Sequence, residues 1–114
     1  MGKPIITDDP IYQLLRTENI EAFNRERESS DLANLTGADY RGLDLRGMNA
    51  ESIDFTNAYF RNADLRGIDF RTANLEGVSL CDAKVSGCYF PASLTAEEIR
   101  MSIELGTRLR CQQQ

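Results

Sequence analysis

From Ala33 to Ala92 the chain places apolar residues at a strict interval of five. The centres of the repeat are Leu35, Tyr40, Leu45, Ala50, Phe55, Phe60, Leu65, Phe70, Leu75, Leu80, Val85 and Phe90, and only Tyr40 among them carries a polar group. Two residues before each centre runs a second apolar column, Ala33, Ala38, Leu43, Met48, Ile53, Ala58, Ala63, Ile68, Ala73, Val78, Ala83 and Cys88. A period of five fits neither the 3.6 of a helix nor the 2.0 of a plain strand. A backbone that returns two residues per repeat to one inner side must therefore turn at every repeat. The pattern predicts an all-β solenoid. The positions between the apolar columns carry the turn chemistry. Asp or Asn stands just before the centre at Asn34, Asp39, Asp44, Asn49, Asp54, Asp64, Asp69 and Asn74, where a short side chain can bond nearby backbone and hold a turn. Gly37, Gly42, Gly47, Gly67, Gly77 and Gly87 follow the centre by two, which points to backbone geometry that a Cβ would hinder.

The flanks change pattern. Asp9-Pro10 is a helix-start signal ahead of Ile11, Tyr12, Leu14 and Leu15, and a second short helix is expected from Thr17, with Ile20 and Phe23 on one face. After Phe90-Pro91, Thr95-Ala96-Glu97-Glu98 reads as a capping box, so a helix should run from about Ala96 to Leu105 and stop at Gly106. Thr107 to Arg110 alternate polar and apolar residues, which permits a short edge strand. A solenoid end exposes core and unpaired backbone, so these flanks are expected to act as caps. The chain thus divides into residues 1–32 as an N-terminal extension and helical cap, 33–92 as the repeat, and 93–114 as a C-terminal helix and tail. Ile99, Met101, Ile103 and Leu105 spread too widely for one narrow stripe, and some of them are candidates for a homodimer contact.

The pattern A(D/N)LxG, as in Ala33-Asn34-Leu35-Thr36-Gly37, Ala63-Asp64-Leu65-Arg66-Gly67 and Ala73-Asn74-Leu75-Glu76-Gly77, resembles the pentapeptide-repeat protein family. The resemblance implies a right-handed quadrilateral β-helix with four repeats per coil, hence about three coils, with the short N-terminal helices and the C-terminal helix as caps. At a strand spacing of about 4.8 Å, three coils stand roughly 15 Å tall. Some members of the family bind DNA gyrase and topoisomerase by imitating duplex DNA, so gyrase is one candidate partner.

Charge weighs on that alternative. Duplex DNA carries one negative charge per about 1.7 Å, so a rod of roughly 15 Å would need a net charge near −9 to match it. Residues 31–92 hold nine acids and six bases, a net −3, and the whole chain is at −5. The same balance, with no basic runs, argues against direct nucleic-acid binding. No apolar run approaches membrane-spanning length, and the expected location is cytoplasmic. Histidine is absent, which removes the commonest general base and nitrogen ligand. The carboxylates are explained by the turns, and Cys81, Cys88 and Cys111 suggest neither a disulfide framework nor a metal cluster. The expectation is a protein with no catalytic residues, no metal and no cofactor, acting as a protein-interaction module.

Two outward features stand out as candidate partner-binding residues. Arg41, Arg46, Arg61 and Arg66 follow their centres by one in adjacent repeats and coils, and are expected to form a two-by-two patch across one corner. They suit either a ladder of pairs with the nearby aspartates or an anionic partner. Tyr59 and Tyr89 replace Asp or Asn on the outside, where an aromatic ring gains little unless a flanking helix or a partner covers it.

Overall fold

The fold is described from a computed structural model over residues 3–112. From Leu35 onward the chain returns to the same place every twenty residues, pairing in parallel at Asp39 with Tyr59, Asp44 with Asp64, Asp54 with Asn74, Tyr59 with Ser79, Asp64 with Lys84 and Asp69 with Tyr89. Each contact is a pair of backbone hydrogen bonds: Tyr40 N–H donates to Tyr59 C=O at 2.9 Å, and Tyr59 N–H donates back to Ala38 C=O at 3.0 Å. Because every pentapeptide turns, the pairing takes the form of isolated bridges, and no longer strand is formed among the described residues.

The turns explain the glycines. In successive repeats the N–H three residues past the centre donates to the centre's carbonyl, as in Leu43 to Tyr40, Met48 to Leu45 and Val78 to Leu75. The third residue of such a turn takes φ between +57° and +85°, supplied by glycine or, at Ser52, Asn57, Asn62 and Asp82, by a side chain that tolerates the left-handed region less well. The β-branched Thr72 stays out of that region, and its hydroxyl instead accepts Ser52 N–H at 3.0 Å. Asp or Asn before the centre accepts the N–H two residues on at Asp39, Asp44, Asn49, Asp54, Asp64, Asp69 and Asn74, as the sequence suggests.

Ten of the twelve centres are buried, and Tyr40, Phe55, Phe60, Phe70 and Phe90 form a continuous aromatic column in which Tyr40 stacks on Phe60 with centroids 5.0 Å apart. Five expected inner positions differ, two of them, Leu43 and Cys88, being half-buried. Ala33 is exposed, because Ala33–Leu35 forms a 3-10 turn that delays the start of the coil. Val85 and Phe90 are only half-buried, because they lie on the last coil with no further coil above them.

Helices α1 (Pro10–Arg16) and α2 (Ile20–Glu26) close the first coil, burying Ile11, Tyr12, Leu15, Ala22 and Phe23. The second helix is capped by Asn19 and not by Thr17. Thr17 terminates α1, donating its N–H to Gln13 C=O, and Glu18 then turns left-handed at φ 61°. Side chains also satisfy the first coil's open backbone edge. Asn24 bonds both Gly47 C=O and Asn49 N–H, and Arg27 donates to Asn49 C=O at 2.7 Å and Glu51 C=O at 2.8 Å. At the other end, α3 (Ala96–Leu105) starts at its Thr95 cap and ends at left-handed Gly106. The Ser102 hydroxyl accepts Leu80 N–H, and Arg108 pairs antiparallel with Ser79.

Candidate functional site

Side chains on the outside are ordered by the same turns that shape the inside. In four repeats the Asp before the centre accepts both the backbone N–H and the guanidinium of the Arg two residues on. The forks are Asp39–Arg41, Asp44–Arg46, Asp64–Arg66 and Asp69–Arg71, each made by Arg Nε and Nη2 at 2.7 to 3.0 Å. The guanidinium beside each carboxylate holds it below its ordinary range, and Asp64, bonded by Arg66 and approached by Arg46 at 3.4 Å, falls to about 2. These arginines are spent largely on their own turns.

The expected two-by-two arginine patch divides accordingly. Arg46 and Arg66 lie on the turns after Leu45 and Leu65 and converge on the single carboxylate of Asp64. Arg41 and Arg61 lie on the preceding turns, after Tyr40 and Phe60. Since each turn redirects the chain, residues five apart occupy successive corners and not one. Arg61 differs from the rest because Tyr59 stands where its aspartate would be, and it makes no ion pair among the described residues.

Each tyrosine ring lies against an arginine. Tyr59 is half-buried beneath Arg108, whose guanidinium lies 4.7 Å from the ring centroid and donates to the phenol oxygen at 2.7 Å. Tyr89 is 58% exposed, with Arg71 over one face at 4.6 Å. The cation–π contacts give both rings the partner that the sequence leaves open.

The segments around Ile5 and Arg108 dock on the face that carries Tyr59. Ile5 pairs with Ala38 at its lower edge, and Arg108 pairs with Ser79 at its upper edge. Between them runs a groove of about 560 Å³ whose charged lining residues are Lys3, Arg41, Arg61 and Arg108, with no acid among the described residues that line it. Sequence reasoning reaches Arg41 and Arg61 but misses Lys3 and Arg108. The alternation over Thr107–Arg110 is the only signal that the latter could lie on an edge.

On α3, Leu105 is 70% exposed, Ile99, Met101 and Ile103 are half-buried, and Ile99 and Ile103 line a shallow apolar hollow. The cysteines are free; Cys88 is half-buried, donating to Leu65 C=O, and its burial raises its thiol pKa. Among the described residues no group of three or more His, Cys, Asp or Glu is placed to hold a metal, and no helix is long and apolar enough to cross a membrane.

Residues 53–90 match the family model for pentapeptide repeats, in 8 copies, and this stretch is a run of pentapeptide repeats. The backbone pairing carries the same twenty-residue register further towards the N-terminus, to Asp39 and Asp44. No curated protein and no solved structure matches the chain.

Proposed function

We propose that the chain is a non-catalytic protein-interaction module, built as a right-handed quadrilateral β-helix of about three coils and acting in the cytoplasm. The observation that carries this reading is the rigidity of the outward side chains. Four Asp–Arg forks and two cation–π pairs fix the surface on a backbone bonded from coil to coil. A surface held in one arrangement before binding loses little entropy when a partner arrives, which suits recognition. A homodimer through α3 belongs to the same reading, supported by the apolar hollow that Ile99 and Ile103 line.

Affinity capture from a native lysate tests it. The wild-type chain is compared with a form carrying Glu at Arg41, Arg46, Arg61 and Arg66, and a differently tagged second copy reports self-association. We expect a defined protein retained by the wild type and lost with the charge reversal. Retention of nothing beyond a blank column would overturn the reading.

A further inference from the structure

The thirteen Lys and Arg residues divide sharply by partner. Among the described residues nine form an ion pair with a carboxylate, and Lys3, Arg61, Lys84 and Arg108 form none. Three of those four cations line the same groove, where they are joined by Arg41, itself bonded by Asp39, and no acid stands among the described lining residues. Like charges repel, so gathering Lys3, Arg61 and Arg108 without a paired carboxylate is unfavourable for the isolated chain. We propose that this groove is the docking site for an acidic segment of a partner protein, a short run of Asp or Glu side chains. The proposal rests on the interaction-module reading and names its surface and the chemistry of its partner.

The fold constructs the site layer by layer. Lys3 is held by the Ile5 backbone, which bonds Gly37 and Asp39 below the first coil. Arg41 and Arg61 follow in the first and second coils, joined through Gly42 N–H to Arg61 C=O at 2.8 Å. Arg108 sits above the third coil and reaches over the small Ser79 to Tyr59, and bonds to Gly77 C=O and the Tyr59 hydroxyl fix its guanidinium. At about 4.8 Å per layer, the backbone layers from Ile5 to Arg108 span roughly 20 Å, and because the Arg108 guanidinium reaches back to Tyr59 the charged groups lie within that length, which an extended segment of about six residues covers. Among the described residues Arg61 has neither aspartate nor hydrogen bond to restrain its fork, which leaves its donor edges for a carboxylate.

A nucleic acid fits less well. It would need base stacking, yet Arg108 and Arg71 already cover one face of each outward tyrosine. Beyond the groove, the net charge of −5 would repel a long phosphate backbone.

Fluorescence anisotropy with a labelled hexaglutamate peptide, the full chain and low salt tests the proposal, with hexalysine and a ten-nucleotide oligothymidine as comparison probes. Arg61 is exposed, so Arg61→Gln should leave the fold intact, as circular dichroism will report. Saturable binding of hexaglutamate is expected, weakened roughly tenfold by Arg61→Gln, since a charge-assisted pair is lost. Lys3→Gln should weaken it several-fold, while Lys84→Gln, which removes an unpaired cation outside the groove, should leave it unchanged. No saturable binding, or equal weakening by Lys84→Gln, would overturn the site. Tighter binding of oligothymidine than of hexaglutamate, lost with Arg61→Gln, would overturn the choice of partner in favour of nucleic acid. Lysate capture separates the two levels of the argument: a partner retained by Arg61→Gln as well as by the wild type sinks the groove and leaves the module. Hexaglutamate binding through Arg61 without any captured protein sinks the module and leaves the groove.

Discussion

At Ser52 the chain takes φ 57° with a Cβ attached, in a turn position that glycine fills in six other repeats. A left-handed L-residue costs about 1–2 kcal/mol, and glycine's larger unfolded-state entropy takes back about 0.4–1, so Ser52→Gly is expected to stabilise by roughly 0.5–1 kcal/mol. Gly77 is the opposite case. A Cβ there would overlap Asn57 Oδ1, whereas at Gly42 it would meet nothing within 4 Å, so Gly77→Ala should destabilise more than Gly42→Ala. Urea denaturation of the three variants checks both the sign and the order. In the core, Phe70 touches Phe55, Phe60 and Phe90, and Phe70→Ala should cost about 3–5 kcal/mol by the same measurement. A loss below about 1 kcal/mol would contradict its place in the stack.

Among the elements, legibility follows how local each determinant is. Helix α3 can be read at both ends because Thr95 and Gly106 sit beside it in sequence. The start of α2 is misread at Thr17 because α1 already uses that residue as its own terminus. Arg27 and Asn24 give no signal at all, since the backbone groups they bond lie 22 to 25 residues away and become neighbours only through the coil register. The division of the arginine patch is hidden for the same reason: five residues of sequence equal one corner of the coil. These contacts make the N-terminal segment part of the stack and not an appendage. Removing residues 1–28 would strip Ile5, Glu18, Asn24 and Arg27 from the first coil's edge and uncover Tyr40. The truncated chain is expected to self-associate, and light scattering showing an equally stable monomer would refute the capping role. The forks within the turns carry a pH dependence. Asp39, Asp44, Asp64 and Asp69 all titrate below their ordinary range when folded, so they bind fewer protons than the unfolded chain. Their contribution is present above about pH 4 and is lost as pH falls through their lowered folded values, about 2 for Asp64. Urea midpoints should therefore fall over that window, and Arg66→Gln should flatten the fall.

For the whole molecule, the distribution of charge decides between a general interaction module and an imitation of DNA. A DNA mimic competes with duplex for a basic groove, and its effect depends on an unbroken negative surface that salt weakens. Of the nine acids in residues 31–92, four are neutralised inside their own turns by Arg41, Arg46, Arg66 and Arg71. What remains negative, at Asp31, Glu51, Asp54, Glu76 and Asp82, is further reduced by the unpaired Arg61 and Lys84. One face even carries the opposite sign, in the groove from Lys3 to Arg108. Doubling the stack through α3 would lengthen the molecule without changing this alternation. We therefore expect no inhibition and no protection of gyrase supercoiling at micromolar protein, at low or high salt. A supercoiling assay that showed inhibition fading steeply with added salt would overturn this expectation. Asp54→Asn and Glu76→Gln would then be the first variants to test, because both carboxylates lie outside the arginine forks and could act on a basic groove undiminished.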